Sequence, residues 1–235
     1  MSTRFIKVWD PFVRVFHWSL VGLFALAYLT GDENDEIHVW AGYAIVVLIA
    51  SRIVWGFIGS KHARFSDFVR SPSVVFRYLK AVVSGSAPRT LGHNPAGGWM
   101  VLLLLVSILA TGGSGLVVLG LEGEGPMAGH IAGDGWIVAV GSAVGGDEGS
   151  GNDEHEEGRE HGEREGDRAA DQNQASMSTN QAFESAEDAW EEIHEFLANF
   201  TVLLVVLHIA GVIFSSIADR ENLVRAMFTG LKKEE

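Results

Sequence analysis

Residues 190–217, WEEIHEFLANFTVLLVVLHIAGVIFSSI, form the stretch of sequence that decides the fold. The stretch is long and apolar enough to cross a bilayer as one helix, because a spanning helix needs about 20 predominantly apolar residues. It also carries two histidines, His194 and His208, fourteen positions apart. In an α-helix that spacing is just under four turns, so both imidazoles are expected on one face, roughly 21 Å apart along the axis.

These two histidines lie in a hydrophobic environment where an imidazole is costly unless it is paired or bound. Two histidines on one face, each close to a different membrane surface, are typical of axial ligands for two haems stacked across the membrane. The alternative is a pair of histidines that pack against neighbouring helices through hydrogen bonds. The stretch alone does not separate the two interpretations.

Three further apolar runs accompany this one. The four runs cover about 12–30, 38–58, 97–121 and 194–217, and each has roughly the 17–25 residues of a spanning helix. The mean hydropathy is only +0.18 because a long polar segment dilutes the apolar runs. The sequence therefore predicts an all-α membrane protein, a bundle of four transmembrane helices in a lipid bilayer.

The net charge of −13 is concentrated in one segment. Residues 121–190 hold seventeen Asp and Glu against three Arg, a net charge of −14. Basic residues dominate residues 1–14 and 59–95 and also occur in the C-terminal tail, and such regions are cytoplasmic by the positive-inside rule. We therefore expect a multi-pass protein with both termini cytoplasmic and with the acidic 31–37 and 121–190 loops outside.

The first apolar run has an alternative interpretation as a signal peptide. Ala25-Leu26-Ala27 resembles a cleavage site that follows a basic start. However, Arg14 and His17 lie inside the run, where the apolar region of a signal peptide is normally uninterrupted. We therefore expect the first run to be a membrane span.

The composition excludes several classes of chemistry. Because the chain has no cysteine, it forms no disulfide, iron–sulfur cluster or covalent c-type haem link. The sequence also has no phosphate-binding glycine loop, HExxH motif or basic stripe for nucleic acid. We expect no nucleic-acid partner and no self-contained hydrolytic or transferase site.

Two segments between the runs differ from them in composition. Residues 71–83 begin with Ser71-Pro72, a helix-start signal, and have an apolar and a basic side, which predicts a short helix on the cytoplasmic membrane surface. Residues 122–189 are acidic and Gly-rich, so we expect a largely disordered extracytoplasmic loop. His155 and His161 in that loop are weak candidates for a Zn²⁺, Cu²⁺ or Ni²⁺ site, because disordered loops rarely preorganise metal ligands.

The predicted topology sorts the intramembrane histidines into two pairs. His17, near the cytoplasmic end of the first span, matches the depth of His208 in the fourth, and His38, near the outer end of the second span, matches His194. Ligation of two b-type haems by pairs of histidines requires one such pair near each membrane surface. We therefore predict His17 and His208 as ligands of the iron of a cytoplasmic-side haem, and His38 and His194 as ligands of the iron of an outer-side haem.

Arg52 lies fourteen positions after His38 and therefore shares its helix face, at the depth of the cytoplasmic-side pair. A guanidinium at this depth needs a partner, and a haem propionate bound bidentately is one candidate. The alternative is an arginine that extends to lipid headgroups.

His62, His93 and His130 fall in loops or at interfaces, where His62 and His93 either line a quinone pocket or are ordinary interfacial histidines.

Four motifs carry a resemblance to a known family. KVWDPFVRVFHW, HVWAGYAIVVLIASRIVWGFIGS, GHNPAGGW and HEFLANFTVLLVVLHIAGVIF are similar to the bacterial cytochrome b561 family, which is related to the b-type cytochrome subunit of nickel–iron hydrogenases. The resemblance implies a four-helix, di-haem electron carrier of the inner membrane, with ligands from the first, second and fourth spans. It implies one cytochrome domain, built from residues 1–121 and 190–230. The insert at about 137–186 departs from the family, and no role transfers to it.

The expected function is a di-haem b-type cytochrome that carries electrons across the inner membrane. One partner is then the quinone pool, and the acidic outer surface suits a basic periplasmic redox protein such as cytochrome c. The hydrogenase relatives imply an alternative, a membrane anchor subunit that passes electrons from a partner enzyme to quinone. An interpretation of a different class is a haem-free metal sensor or transporter that captures cations with its acidic, His-containing loop. The sequence leaves open whether the protein is itself a quinone-linked oxidoreductase.

Overall fold

The computed structural model of the protein describes residues 5–31, 35–88, 90, 92–131 and 166–233. Within these residues four helices are long and apolar enough to cross a membrane, which confirms the predicted spans. They are Pro11–Thr30, Glu36–Ile58, Pro95–Leu121 and Gln181–Ala218. Only 11–28% of the most apolar window of each span is buried inside the protein, so most of each span is apolar surface that lipid would cover.

The helices and strands follow one another in chain order. They are β1 (Phe5–Lys7), α1 (Pro11–Thr30), α2 (Asp35–Ile58), a 3₁₀ helix (Lys61–Ala63), α3 (Phe65–Phe68), α4 (Pro72–Val83), α5 (Pro95–Leu121), α6 (Ala128–Ile131), α7 (Gly166–Ala218), α8 (Leu223–Thr229) and β2 (Leu231–Lys233). The chain divides into two compact units. The first unit comprises Met1–Gly112 and Leu197–Glu235, and the second comprises Gly113–Phe196.

The core of the first unit lies between α1, α2 and α5. Its buried apolar side chains are Phe16, Ala27, Ala41, Ile45, Ile49, Leu105 and Ile108. The three members from α2 recur every four positions, which places them on one helix face. The part of α7 that belongs to this unit joins the bundle through hydrogen bonds from Tyr28 Oη to Asn199 Oδ1 (3.0 Å) and between the hydroxyls of Ser107 and Thr201 (2.6 Å).

Helix α1 begins after Asp10, which is its N-cap. Asp10 Oδ1 accepts a hydrogen bond from Val13 N–H at 2.8 Å, and proline occupies the first helical position, where its missing N–H has no cost. The second carboxylate oxygen accepts hydrogen bonds from Trp55 Nε1 (3.1 Å) and Ser60 Oγ. One carboxylate therefore fixes the start of α1 against the end of α2 and the turn that follows.

Strands β1 and β2 form an antiparallel pair, with Ile6 opposite Lys232, and we call this pair the terminal ribbon. Beside it, the N–H groups of Val8 and Trp9 donate to Gly230 O at 2.9 and 3.2 Å. Gly230 ends α8 with φ at 79°, and a Cβ there would lie 2.7 Å from Trp9 O. This position therefore requires glycine. No sequence pattern predicts the ribbon.

Lys232 ties the terminal ribbon to two other parts of the first unit. Its side chain is buried, and its Nζ lies 3.7 Å from Oε2 of the equally buried Glu221. Nζ also donates a hydrogen bond to Thr90 O at 3.1 Å. The terminal ribbon, the segment before α8 and the distant residue Thr90 thus meet at one ammonium group.

The second unit is built from the last turns of α5, from α6 and from the first part of α7. Val117 and Ile131 are its buried apolar residues, and Leu121, Met127 and Trp190 pack against them. Ala186 and Ala189 of α7 are also buried. Small side chains at these positions allow close packing of the helix.

Helix α7 begins at Gly166, so the expectation of a largely disordered loop over 122–189 does not hold for residues 166–189. Residues 167–189 contain no proline or glycine and include six Ala and three Gln, which favour helix. A polar composition, from which we predicted disorder, is equally that of a solvent-exposed helix. Residues 132–165, with His155 and His161, lie outside the described residues.

Helix α4 coincides with the short helix predicted for residues 71–83. Ser71 is at the N-cap position and Pro72 at the first helical position, although the Ser71 side chain makes no capping hydrogen bond. Phe76 and Val83 are exposed apolar residues on this helix. Its location on the cytoplasmic membrane surface stays a prediction.

Candidate functional site

Four polar side chains of the first unit are linked pairwise by electrostatic influence, and we call them the polar cluster: His17, Arg52, His93 and His208. They come from α1, α2, the turn before α5, and α7. His17 interacts electrostatically with His208, and His93 interacts with both Arg52 and His208. The structure therefore brings together His17 and His208, the predicted ligands of one haem, with the predicted propionate partner Arg52.

His17 is held by aromatic side chains. Its ring meets Trp18 edge to face, with centroids 5.1 Å apart and an interplanar angle of 87°. Trp18 in turn stacks on Phe228 at 4.2 Å and 20°. Among the described residues, the buried Nδ1 of His17 has no hydrogen-bond partner, and a buried polar atom in this state costs free energy unless something binds it.

His38 of α2 has a defined ring orientation. Its Nδ1 lies 2.9 Å from Ala27 O, and because a carbonyl can only accept a hydrogen bond, Nδ1 must carry the proton. An imidazole binds a metal through a ring nitrogen that carries no proton. A backbone carbonyl on the other ring nitrogen is the usual support of a metal-bound histidine.

His194 belongs to the second unit, where it packs against α5. Its Nδ1 lies 3.1 Å from Ser114 Oγ. A Cβ added to Gly115 would lie 2.9 Å from Cε1 of His194, so the imidazole is in contact with helix backbone. His38 and His194 belong to different units, and their pairing stays a prediction.

The guanidinium of Arg52 is buried, with a side-chain exposure of 3%. Nη2 donates to Ala63 O at 3.1 Å, and the guanidinium carbon lies 5.5 Å from the centroid of the Phe65 ring. Nη1 is buried without a hydrogen-bond partner, and no acidic side chain among the described residues forms an ion pair with Arg52. This burial is incompatible with an arginine that extends to lipid headgroups, and a buried unpaired charge requires an anionic partner.

His93 is the member of the cluster whose contacts the sequence did not predict. Its ring lies against Trp9 (centroids 4.6 Å apart) and Phe68 (4.7 Å). Its Nδ1 is buried and, within the described part of the chain, has no hydrogen-bond partner. Burial, together with the influence of Arg52 and His208, lowers the pKa of His93 to about 3, so the imidazole is neutral at pH 7 and carries one N–H.

His62, the other loop histidine, has a partner of its own. Its Nδ1 lies 3.1 Å from Asp67 Oδ2, and both side chains are partly exposed. Among the described residues no group of three or more His, Cys, Asp or Glu forms a candidate metal-ion site. Bis-histidine haem ligation does not need such a group, because the porphyrin supplies the other four ligands of the iron.

The polar side chains of the first unit fit a b-type haem. Such a group needs imidazoles for its iron and hydrogen-bond donors for its two carboxylates. Among the described residues, buried side-chain nitrogens without a hydrogen-bond partner occur on Arg14, His17, Trp18, Arg52 and His93. All of them lie in the first unit, and carboxylates are the acceptors that such donors lack.

Comparison with known proteins agrees with this chemistry. A family model described as "Prokaryotic cytochrome b561" matches residues 8–230, which include the four predicted iron ligands and Arg52. No curated protein and no solved structure matches the chain. Members of the family are helical-bundle membrane proteins that bind b-type haem and transfer electrons. The resemblance drawn from the four motifs is thereby confirmed: the chain belongs to the prokaryotic cytochrome b561 family and is a multi-pass bacterial membrane cytochrome.

Proposed function

We propose that the protein carries electrons across the bacterial inner membrane through two b-type haems, between the quinone pool and a second redox partner. The observation that carries the proposal is the polar cluster. His17 interacts there with His208, and His93 interacts with both His208 and the buried guanidinium of Arg52, whose Nη1 has no hydrogen-bond partner among the described residues. Two imidazoles and an uncompensated cation are the groups that bind the iron and a carboxylate of one haem.

In this proposal His17 and His208 hold the iron of the cytoplasmic-side haem, and Arg52 binds one of its propionates. A haem held by two imidazoles supplies one-electron transfer and has no open coordination position for oxygen. The chain contributes two ligands from different helices, α1 and α7. Trp18 fixes the ring of His17, and the apolar core of α1, α2 and α5 excludes water.

His38 and His194 hold the iron of the outer-side haem in the same proposal. The assignment is supported by the equal depth of the two histidines in the predicted topology and by the contact that orients each ring. Ala27 O accepts a hydrogen bond from Nδ1 of His38 and so orients that ring, and Ser114 Oγ interacts with Nδ1 of His194. Such contacts fix the ring and raise the basicity of a ligand nitrogen.

The proposed redox partner and the orientation in the membrane follow from the distribution of charged residues along the sequence. The segment 121–190 has a net charge of −14, and an acidic outer surface steers a basic periplasmic redox protein such as cytochrome c. The basic residues of segments 1–14 and 59–95 favour a cytoplasmic location of both termini. Membership of a haem-binding family argues against the haem-free sensor or transporter.

The ligand assignment is tested by four alanine variants of the purified protein. We expect reduced wild-type protein to show sharp α and Soret bands and two haems per chain. His17→Ala and His208→Ala should each remove one haem, and His38→Ala and His194→Ala should each remove the other. His62→Ala is the control, because His62 is paired with Asp67, and it should keep both.

Two results would contradict the proposal. One is a colourless preparation from cells with ample haem. The other is the loss of the same spectral species in His17→Ala and His38→Ala. A redox titration with quinol and with cytochrome c then identifies the partners and separates the carrier from the hydrogenase-type anchor, which would accept electrons from a partner enzyme instead.

A further inference from the structure

The buried charge of Arg52 is the starting point. Its Nη2 is satisfied by Ala63 O at 3.1 Å, but Nη1 is buried and has no hydrogen-bond partner within the described residues. The side chain is 3% exposed. A guanidinium in this position carries a full positive charge, and one of its two terminal NH₂ groups donates no hydrogen bond.

No acidic side chain among the described residues forms an ion pair with Arg52. Asp10 influences it electrostatically, but its Oδ1 accepts from Val13 N–H at the N-cap of α1, and its Oδ2 accepts from Trp55 and Ser60. Lys232 is a second buried cation, and its charge is matched by Glu221 at 3.7 Å. His62 is matched by Asp67. Within the described residues Arg52 therefore has no ion-pair partner, and its Nη1 has no hydrogen-bond partner.

His93 adds a second unused nitrogen beside this charge. It interacts electrostatically with Arg52, and its Nδ1 is buried without a hydrogen-bond partner in the described part of the chain. Trp9 and Phe68 pack on the ring and restrict its rotation. A neutral imidazole next to a guanidinium donates a hydrogen bond at low electrostatic cost, because it adds no second positive charge.

We propose that Arg52 and His93 jointly bind one propionate carboxylate of the haem held by His17 and His208, with Nη1 of Arg52 and Nδ1 of His93 as donors. The inference rests on the proposed function. A carboxylate has two oxygens and no proton, so it can accept from both donors at once and neutralise the buried charge. His93 is then a positioning residue of the haem site, in addition to the iron ligands.

The test uses full-length protein loaded with haem whose propionate carboxyls carry ¹³C, introduced through carboxyl-labelled δ-aminolevulinate. Redox-difference infrared spectra report the labelled carboxylate bands directly. We expect Arg52→Gln and His93→Phe each to shift these bands. His93→Phe keeps a ring between Trp9 and Phe68, and His93→Asn restores a donor near the position of Nδ1, so it should restore the band. His62→Phe is the matched control and should leave it unchanged.

The reduction potential of the same haem is the second readout. At pH 8, where the carboxylate stays ionised, Arg52→Gln should favour the oxidised form about tenfold, equivalent to about 59 mV for a one-electron couple. His93→Phe should act in the same direction by a smaller factor. Should Arg52→Gln fail to accumulate, Arg52→Lys carries the test, because it keeps the charge but loses the planar donor pair.

Unshifted labelled bands in the Arg52 and His93 variants, with haem content unchanged, would overturn this inference and leave the proposed function intact. A free anion at the site would also overturn it. In that case the wild-type potential would respond to exchange of chloride for sulfate while the labelled bands stay constant in the variants. Failure of the wild-type protein to bind haem would instead overturn the proposed function itself.

Discussion

Asp10 shows how much one side chain contributes at the start of the membrane bundle. Burial raises its pKa, but hydrogen bonds from Ser60, Val13 N–H and Trp55, with the charge of Arg52, outweigh burial and hold the pKa below its usual value of 3.8. A carboxyl whose pKa is lower in the folded state stabilises the fold at pH values above its unfolded-state pKa. That stabilisation is lost as the pH falls through the folded-state pKa.

Asp10→Ala should therefore lower the stability of the protein at pH 7, by about 1 kcal/mol from loss of the N-cap and further from loss of the bonds to Trp55 and Ser60. Thermal unfolding in detergent at pH 7 and at pH 3 measures this. The difference between wild type and variant should shrink at the lower pH. Asp67→Ala is the control, because its partly exposed pair with His62 contributes little, and an equal difference at both pH values would contradict the linkage.

The residues of the site differ in how far the sequence can predict them. His17, His38, His194, His208 and Arg52 stand out because a polar group within an apolar run is costly and therefore rare. His93 does not stand out, because it lies in the turn just before α5. Its burial depends on Trp9 and Phe68, which come from other parts of the chain. No local pattern carries that information.

The start of α5 packs closely on α3 through Gly98. A Cβ added to Gly98 would lie 2.6 Å from Phe68 O, which is backbone and cannot move aside cheaply. Phe68 also packs on His93, so this contact between two elements supports the polar cluster. Gly22 of α1 offers a contrast, because a Cβ there would meet no atom within 4 Å.

Gly98→Ala should reduce stability by about 1–3 kcal/mol, the usual cost of overpacking. Gly22→Ala should be neutral or stabilising by up to about 1 kcal/mol, because alanine favours helix over glycine. Thermal unfolding of the two variants in the same detergent gives the comparison. Equal stabilities would show that the start of α5 can move away from α3 without cost.

Helices were predictable from the sequence where one signal, such as hydropathy or a helix-start residue, dominates. The four spans follow from hydropathy and length, and the starts of α1 and α4 follow from proline at the first helical position. The extent of α7 did not follow, because the polar residues 166–189 suit both a solvated coil and an exposed helix. The strands of the terminal ribbon have three residues each, which is too short for an alternating pattern to be visible.

On the scale of the whole molecule, Lys232 connects both chain ends to the body of the first unit. Lys232→Met would remove the buried ammonium that lies 3.7 Å from Oε2 of Glu221, together with its hydrogen bond to Thr90 O. Removing one partner of a buried ion pair lowers the free energy of unfolding by about 3–5 kcal/mol. We expect a loss of this size in detergent unfolding experiments. Lys7→Met, at an exposed position of the same ribbon, is the control and should change stability little.

The pairing of residues 5–7 with residues 231–233 also sets an order of assembly during translation. The N–H groups of Val8 and Trp9 lack their acceptor until Gly230 has left the ribosome. By then α1 has long been made, and domains begin to fold as soon as they emerge. Trp9 packs on the ring of His93. Its hydrogen bond to Gly230 O is therefore one of the last contacts near the polar cluster to form, and that side of the cluster stays open in a nascent chain until residue 233 has been synthesised.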